Sequence, residues 1–186
     1  MKVQKTPLDE VLILEPRVFG DDRGWFFESF NVARFNELAG NDVVFVQDNH
    51  SRSGRGVLRG IHFQTSGAAQ GKLVRATAGD IFDVAVDLRK SSPTFGHWTG
   101  VVVSAENKKQ LWVPAGFGHA FLVTSDMAEV QYKADRYWSP EHERSLRWDD
   151  KTVNIAWPKA LEIQLSEKDA AAPTFIQLER TGDFFD

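Results

Sequence analysis

Cysteine is absent from this chain. That removes disulfides, thiolate nucleophiles and cysteine-type zinc sites, and it fits a reducing compartment. No run approaches the roughly 18 apolar residues of a membrane span. Residues Met1 to Glu10 mix charged and apolar side chains without the apolar stretch of a secretion signal. A cytoplasmic protein that does not engage a membrane is therefore expected. Basic excess is missing too. The net charge is −4, and no basic stripe suggests a nucleic-acid surface. No glycine-rich dinucleotide loop follows a strand-like run, so a nicotinamide cofactor is not expected. Internal repeats and low-complexity segments are also lacking.

What is present reads as one β-rich domain over residues 1–186. Hydrophobic residues make up 42% of the chain, with 14 Phe and 6 Trp, ample for a core. Val11–Leu14 and Val43–Val46 are short apolar runs, the second ending at the polar group Gln47-Asp48-Asn49. Ile81 to Leu88 alternates with period two: Phe82, Val84, Val86 and Leu88 share one face, Asp83 and Asp87 the other. Further strands are expected at Thr99–Ser104, Gln110–Val113, Ala120–Thr124 and Glu129–Ala134, separated by turn residues. Many short strands at close spacing predict a sandwich or barrel. Helical signals are thin: Val32–Leu38, stopped near Gly40, and a turn over Ser166–Ala171 begun by a Ser166 cap. The last dozen residues form a tail that must pack on something or fray.

The chemistry concentrates between Gly56 and Gly79. Gly56 is followed after five residues by His62, then one residue and Gln64; Lys72 is followed after six residues by Gly79. Metal-binding cupins carry Gly-x5-His-x-His, then Glu-x6-Gly, with a second motif Pro-x-Gly-x2-His. The second motif stands here as Pro114-Ala115-Gly116-Phe117-Gly118-His119. Gln64 takes the place of one histidine and Lys72 that of the glutamate. A lysine ammonium offers a metal no lone pair and repels it. The pattern therefore implies a cupin pocket turned from metal binding to proton chemistry, with no bound metal.

The sequence resembles the dTDP-4-dehydrorhamnose 3,5-epimerase family, metal-free cupins that act on nucleotide sugars. The resemblance runs from about Pro7 to Pro173. It is carried by Phe19-Gly20-Asp21-Asp22-Arg23-Gly24, Gln47-Asp48-Asn49, Arg59-Gly60-Ile61-His62-Phe63-Gln64 and Gln70-Gly71-Lys72-Leu73-Val74. Asp83 to Arg89, Tyr132-Lys133 and Ser166-Glu167-Lys168-Asp169 also match. One position departs: Ala120 stands where the family usually has Gly, and its methyl group is expected near the pocket wall, able to shift His119.

The resemblance implies a mainly β, cupin-type jelly-roll barrel (a double-stranded β-helix) with short helices near the termini. It implies inversion of carbons 3 and 5 of dTDP-4-dehydro-6-deoxyglucose to give dTDP-4-dehydro-L-rhamnose, without a cofactor. Such a reaction needs a base, an acid across the sugar ring and a cation for the enolate oxygen. By resemblance His62 is the base, Lys72 faces the enolate and Tyr132 is the acid. Asp169 is the family's usual partner of His62, and Asp83 is a second candidate for that role. Tyr132 shares a strand face with Val130 and Ala134; Tyr137 is the rival acid. The family places Arg23, Glu28, Gln47, Asn49, Arg59, His119, Glu143 and Lys168 around the nucleotide and sugar. Period two alone puts Arg59 and His62 on opposite faces, so that placement of Arg59 follows from the resemblance only. A homodimer with N-terminal strand exchange is expected, with Trp25-Phe26-Phe27 contributing. Three rivals stay open: a single-carbon epimerase or ketoisomerase of the same kind, a non-catalytic sugar-nucleotide binder, and a metal-dependent cupin.

Overall fold

Alternating side chains build the strands, and the facing of two sheets builds the pocket. The computed structural model describes residues 1–40, 42–159 and 161–186. In chain order its strands are β1 (Lys2–Lys5), β2 (Leu12–Glu15), β3 (Val18–Asp21), β4 (Gly24–Phe27), β5 (Gln47–Gly54), β6 (Leu58–Gln64), β7 (Lys72–Ala78) and β8 (Asp80–Asp87). β9 (Trp98–Ser104), β10 (Gln110–Val113), β11 (Phe117–Val123), β12 (Met127–Ala134) and β13 (Glu143–Ser145) follow. Among the described residues, three short α-helices, α1 (Val32–Ala39), α2 (Glu167–Ala170) and α3 (Phe175–Thr181), and a 3-10 turn at Ser66–Ala68 complete the set. One sheet has the order β1-β2-β10-β7-β12-β5, and a second has β13-β6-β11-β8-β9. Among the described residues, the hairpin β3–β4 pairs only with itself. Two antiparallel sheets with few helices make this a mainly β, cupin-type jelly roll.

The core lies between the two sheets. Val74, Ala76, Leu111, Val113 and Val130 come from one, and Ile81, Ala85, Phe117, Phe121 and Val103 from the other. β8 runs one residue earlier than its alternation suggests, and both of its faces are buried. Ile81 and Ala85 point into the core between the sheets. Val84, Val86 and Leu88 point outward, under a cover of Val153, Ile155, Phe175, Leu178, Phe184 and Phe185. The C-terminal tail therefore packs as α3 and the two phenylalanines after it. Each ring buried there contributes about 1.5–3 kcal/mol. α3 starts from a Thr174–Gln177 capping box.

The structure corrects one expected strand. Val43–Val46 is not part of a sheet; the strand is its polar continuation, β5. Phe45 packs instead against Phe35 of α1, centroid to centroid at 5.1 Å, and against Trp112 at 5.9 Å. Val43 and Phe45 thus cover the outer face of the six-stranded sheet together with α1, while Val44 and Val46 are exposed. α1 lies where expected, capped by Asn31 and closed by Gly40 at φ 70°. Among the described residues, no helix is long and apolar enough to cross a membrane.

Candidate active site

β6 and β11 pair so that His62 stands opposite His119. The same ladder then sets Arg59 opposite Phe121, a shift of three residues on β6 against two on β11. That bulge breaks the period-two rule. It puts Arg59 and His62 in one cleft, with Leu165, Ser166, Lys168 and Asp169 along its side. Gly60 makes the bulge feasible. Its φ is +125°, and a Cβ there would lie 2.5 Å from that of Ala120. This also corrects the expectation for Ala120. Its methyl group sits in the outer core with Ile61 and Val84, away from the pocket.

His62 Nε2 lies 2.6 Å from Asp169 Oδ1. The carboxylate comes from α2, whose N-cap is Ser166. Ser166 Oγ accepts from the Asp169 amide at 3.1 Å and donates to Asp169 Oδ2 at 2.9 Å. Burial alone would raise the Asp169 carboxyl, but its bonds from His62 and Ser166 outweigh burial and hold it below the usual range. Asp169 is thus ionised, and it orients the His62 ring so that Nδ1 is left for chemistry.

Asp83 is not the partner of His62. Its Oδ1 accepts from His119 Nε2 at 2.7 Å, and both side chains are buried. Asp83 points inward from β8, as its strand position implied, but the imidazole it meets is the one on β11. Burial pushes His119 toward its neutral form; Asp83 opposes that, while Lys72 and His62 add to it. The Lys72 ammonium sits over the Tyr132 ring, 5.7 Å from its centroid. Burial pulls the Lys72 pKa down to about 8, against the upward pull of Glu143 and Asp83. The Tyr132 phenol is held above its ordinary range by burial and then by Glu143, with Arg59 opposing. It stays protonated at neutral pH.

The remaining residues form a rim. Lys168 Nζ and Glu143 Oε2 lie 2.7 Å apart, joining α2 to β13. Arg59 Nε donates to Ser53 Oγ at 3.0 Å. Gln47 Nε2 donates to Asn49 Oδ1 at 3.1 Å, and Gln47 Oε1 accepts from the Trp138 amide. Tyr137 is 71% exposed at this rim, while Tyr132 packs against the core beside Lys72. Arg23 and Glu28 are not brought to the cleft of their own chain. Arg23 sits on the hairpin turn and pairs with Asp21; Glu28 faces Asn31 and Arg34.

Two contributors escape sequence reasoning. Gln64 was legible only as a lost metal ligand. In the fold its amide is a clasp: Oε1 accepts from the Ser139 amide at 2.6 Å, and Nε2 donates to Ala68 O at 2.8 Å and Tyr137 O at 3.3 Å. Ser166 was legible as a cap, and its Oγ proves also to bind the carboxylate of the dyad. Among the described residues, no group of three or more His, Asp or Glu is placed to hold a metal ion. The arrangement offers an oriented imidazole on this cleft and, coupled to its residues through His119 and Arg59, an ammonium over a protonated phenol. That set suits proton removal and return beside a carbonyl.

Comparison with known proteins points the same way. The family profile described as dTDP-4-dehydrorhamnose 3,5-epimerase matches residues 5–177. The dTDP-4-dehydrorhamnose 3,5-epimerase of Salmonella typhimurium is 58% identical over 177 residues, covering 95% of this chain and 97% of the relative. Among solved structures, the dTDP-6-deoxy-D-glucose-3,5-epimerase of Legionella pneumophila in complex with dTDP-4-keto-L-rhamnose superposes with a TM-score of 0.94. It is 49% identical and covers 99% of this chain and 97% of its own. A 3′-monoepimerase from Streptomyces bikiniensis in complex with dTDP-quinovose superposes at 0.92, with 36% identity and coverage of 97% and 91%. Fold, motif spacing and near full-length identity converge: the chain belongs to the dTDP-4-dehydrorhamnose 3,5-epimerase family.

Proposed function

We propose that the cleft inverts carbons 3 and 5 of dTDP-4-dehydro-6-deoxyglucose, giving dTDP-4-dehydro-L-rhamnose, with His62, Lys72 and Tyr132 as its proton-handling set. The observation that carries this reading is the His62–Asp169 pair at 2.6 Å, opening on the same cleft as Arg59 and Lys168. His62 takes the proton from a carbon beside the 4-ketone. The electron pair moves onto the carbonyl oxygen, and the Lys72 ammonium stabilises that negative charge. Tyr132 gives its proton to the carbon from the other face, so the centre inverts. Solvent then reprotonates the phenolate and accepts the proton held by His62. The same cycle serves the second carbon.

Arg59 and Lys168 suit the diphosphate, since arginine binds phosphate oxygens through forked, charge-assisted bonds. Gln47, Asn49, Glu143 and His119 line the sugar and nucleoside, and the work is done in the cytoplasm. Among the described residues the hairpin β3–β4 has no further partner strand, and Trp25 and Phe26 on it are 62% and 69% exposed. Exchange of this hairpin in a homodimer accounts for both facts. It also carries Arg23 and Glu28 to the neighbouring subunit's cleft. A dimer by sedimentation at micromolar concentration is expected; an active monomer would refute the exchange.

Incubation with dTDP-4-dehydro-6-deoxyglucose in heavy water tests the reaction. Deuterium at carbons 3 and 5 with both centres inverted is expected. Deuterium at one carbon alone would make the protein a monoepimerase, as its Streptomyces relative is described. Binding without exchange would leave a sugar-nucleotide carrier.

A further inference from the structure

We infer that Asp83 is a positioning residue: its carboxylate is the counter-charge of Lys72 as well as the anchor of His119. The inference rests on Lys72 as the cation that meets the enolate oxygen. Asp83 is wholly buried, flanked in register by Phe121 of β11 and Val101 of β9. Its Oδ1 holds His119 Nε2, and its Oδ2 is buried with no hydrogen-bond partner. Nearly all buried polar atoms find a partner, so an orphan carboxylate oxygen needs a reason.

Charge accounting supplies one. The other carboxylates are hydrogen-bonded or paired: both oxygens of Asp169 are taken, by His62 and Ser166, and Glu143 meets Lys168 at 2.7 Å. Asp83 faces an imidazole that burial drives toward neutrality. A neutral ring donates a hydrogen bond but supplies no counter-charge. Lys72 is the complementary case: among the described residues it makes no ion pair within 4.0 Å. Its own strand neighbours bring it no charge, since Val113 and Ala134 stand opposite it. The titratable groups that act on it or stand beside it are Tyr132 on β12, Glu143 on β13, His119 on β11 and Asp83 on β8. His62 on β6 acts on the same His119. Of the two carboxylates that pull on Lys72, Glu143 has Lys168 as its cation, whereas Asp83 has no lysine or arginine within 4.0 Å among the described residues. A buried ammonium without a counter-charge sheds its proton. Asp83 therefore keeps Lys72 charged in the range where the enzyme works.

The sign of the effect is fixed. Lys72 must be protonated to meet the enolate, so its contribution to the rate is full below its pKa, about 8, and is lost as pH rises through it, which makes the alkaline limb of the profile. Asp83→Asn removes an upward pull on that pKa. The alkaline limb of kcat/KM should move to lower pH, by about one unit, and Asp83→Glu should return it toward the wild-type position. A uniform loss of rate in Asp83→Asn with the limb unmoved would reduce Asp83 to packing and overturn the inference. Thermal melts of Lys72→Met, Asp83→Asn and the double variant read the same coupling without any turnover, so they are independent of the epimerase reading. The double variant should lose less than the sum of the single losses, and strict additivity would overturn the inference. Should Asp83→Asn fail to fold, the double variant decides: a restored cooperative melt supports the counter-charge, and a double variant that also fails to fold refutes it.

Discussion

The pocket contains two histidine–carboxylate pairs that look alike and are built differently. His62 and Asp169 are 107 residues apart in the chain, and the carboxylate arrives on a one-turn helix from outside the sheet. His119 and Asp83 are 36 residues apart, on strands that are neighbours in one sheet. The His62 side chain is 29% exposed and lines an open cleft; that of His119 is 7% exposed, and its aspartate is sealed. A base must reach its substrate and trade protons with water. A sealed pair cannot trade readily, but it can hold a fixed polar surface. Similar bond lengths thus come with very different exposure, and in the proposed mechanism the exposed pair is the base.

The comparison predicts a graded series of losses. His62→Asn should cost most, roughly 10²–10⁴ in turnover, and should abolish deuterium uptake at both carbons because one base serves both. Uptake surviving at either carbon would show that the sealed pair also removes protons. Tyr132→Phe comes next and should differ in kind. Inversion should fall by roughly 10²-fold or more, while His62 still forms the enolate and washes in deuterium with retention. Equal loss of exchange and inversion would mean that Tyr132 only orients the sugar.

His119→Asn should be milder, about 10–100-fold in kcat/KM, the worth of a lost polar contact to a charged ligand. Most of that should appear in KM. A loss confined to kcat would erase the distinction between the two pairs. Ser166→Ala should cost least. Loss of the cap should lower stability by about 1 kcal/mol, and the looser Asp169 should slow turnover about fivefold. A melting temperature that drops while the rate holds would confine Ser166 to the helix end.

Legibility differed between elements for physical reasons. β8, β9, β10 and β12 were readable because core burial imposes apolar residues at regular intervals. β5 was hidden. Its alternate residues Asn49, Ser51 and Ser53 pair across to the strand that carries Tyr132, and a pocket wall demands polar groups where a core wall demands apolar ones. Val43–Val46 misled for the converse reason: Val43 and Phe45 are partly buried against a helix instead of by a partner strand, and Val44 and Val46 are exposed.

The sequence by itself determined the set of chemical parts. The spacing of His62, Gln64, Lys72 and His119, with a lysine in place of a carboxylate, states that the pocket handles protons, because residue types fix charge and basicity. The alternating runs determined that the chain folds as sheets. Which aspartate serves which histidine was decided only in three dimensions, since both candidates were consistent with their local patterns. So was the admission of Arg59 to the cleft, which depends on a bulge that Gly60 permits. The isolation of Arg23 and Glu28 on a self-paired hairpin was likewise invisible in the chain. Local sequence sets what a side chain can do; contacts across 36 or 107 residues set what it faces, and those exist only once the sheets have closed.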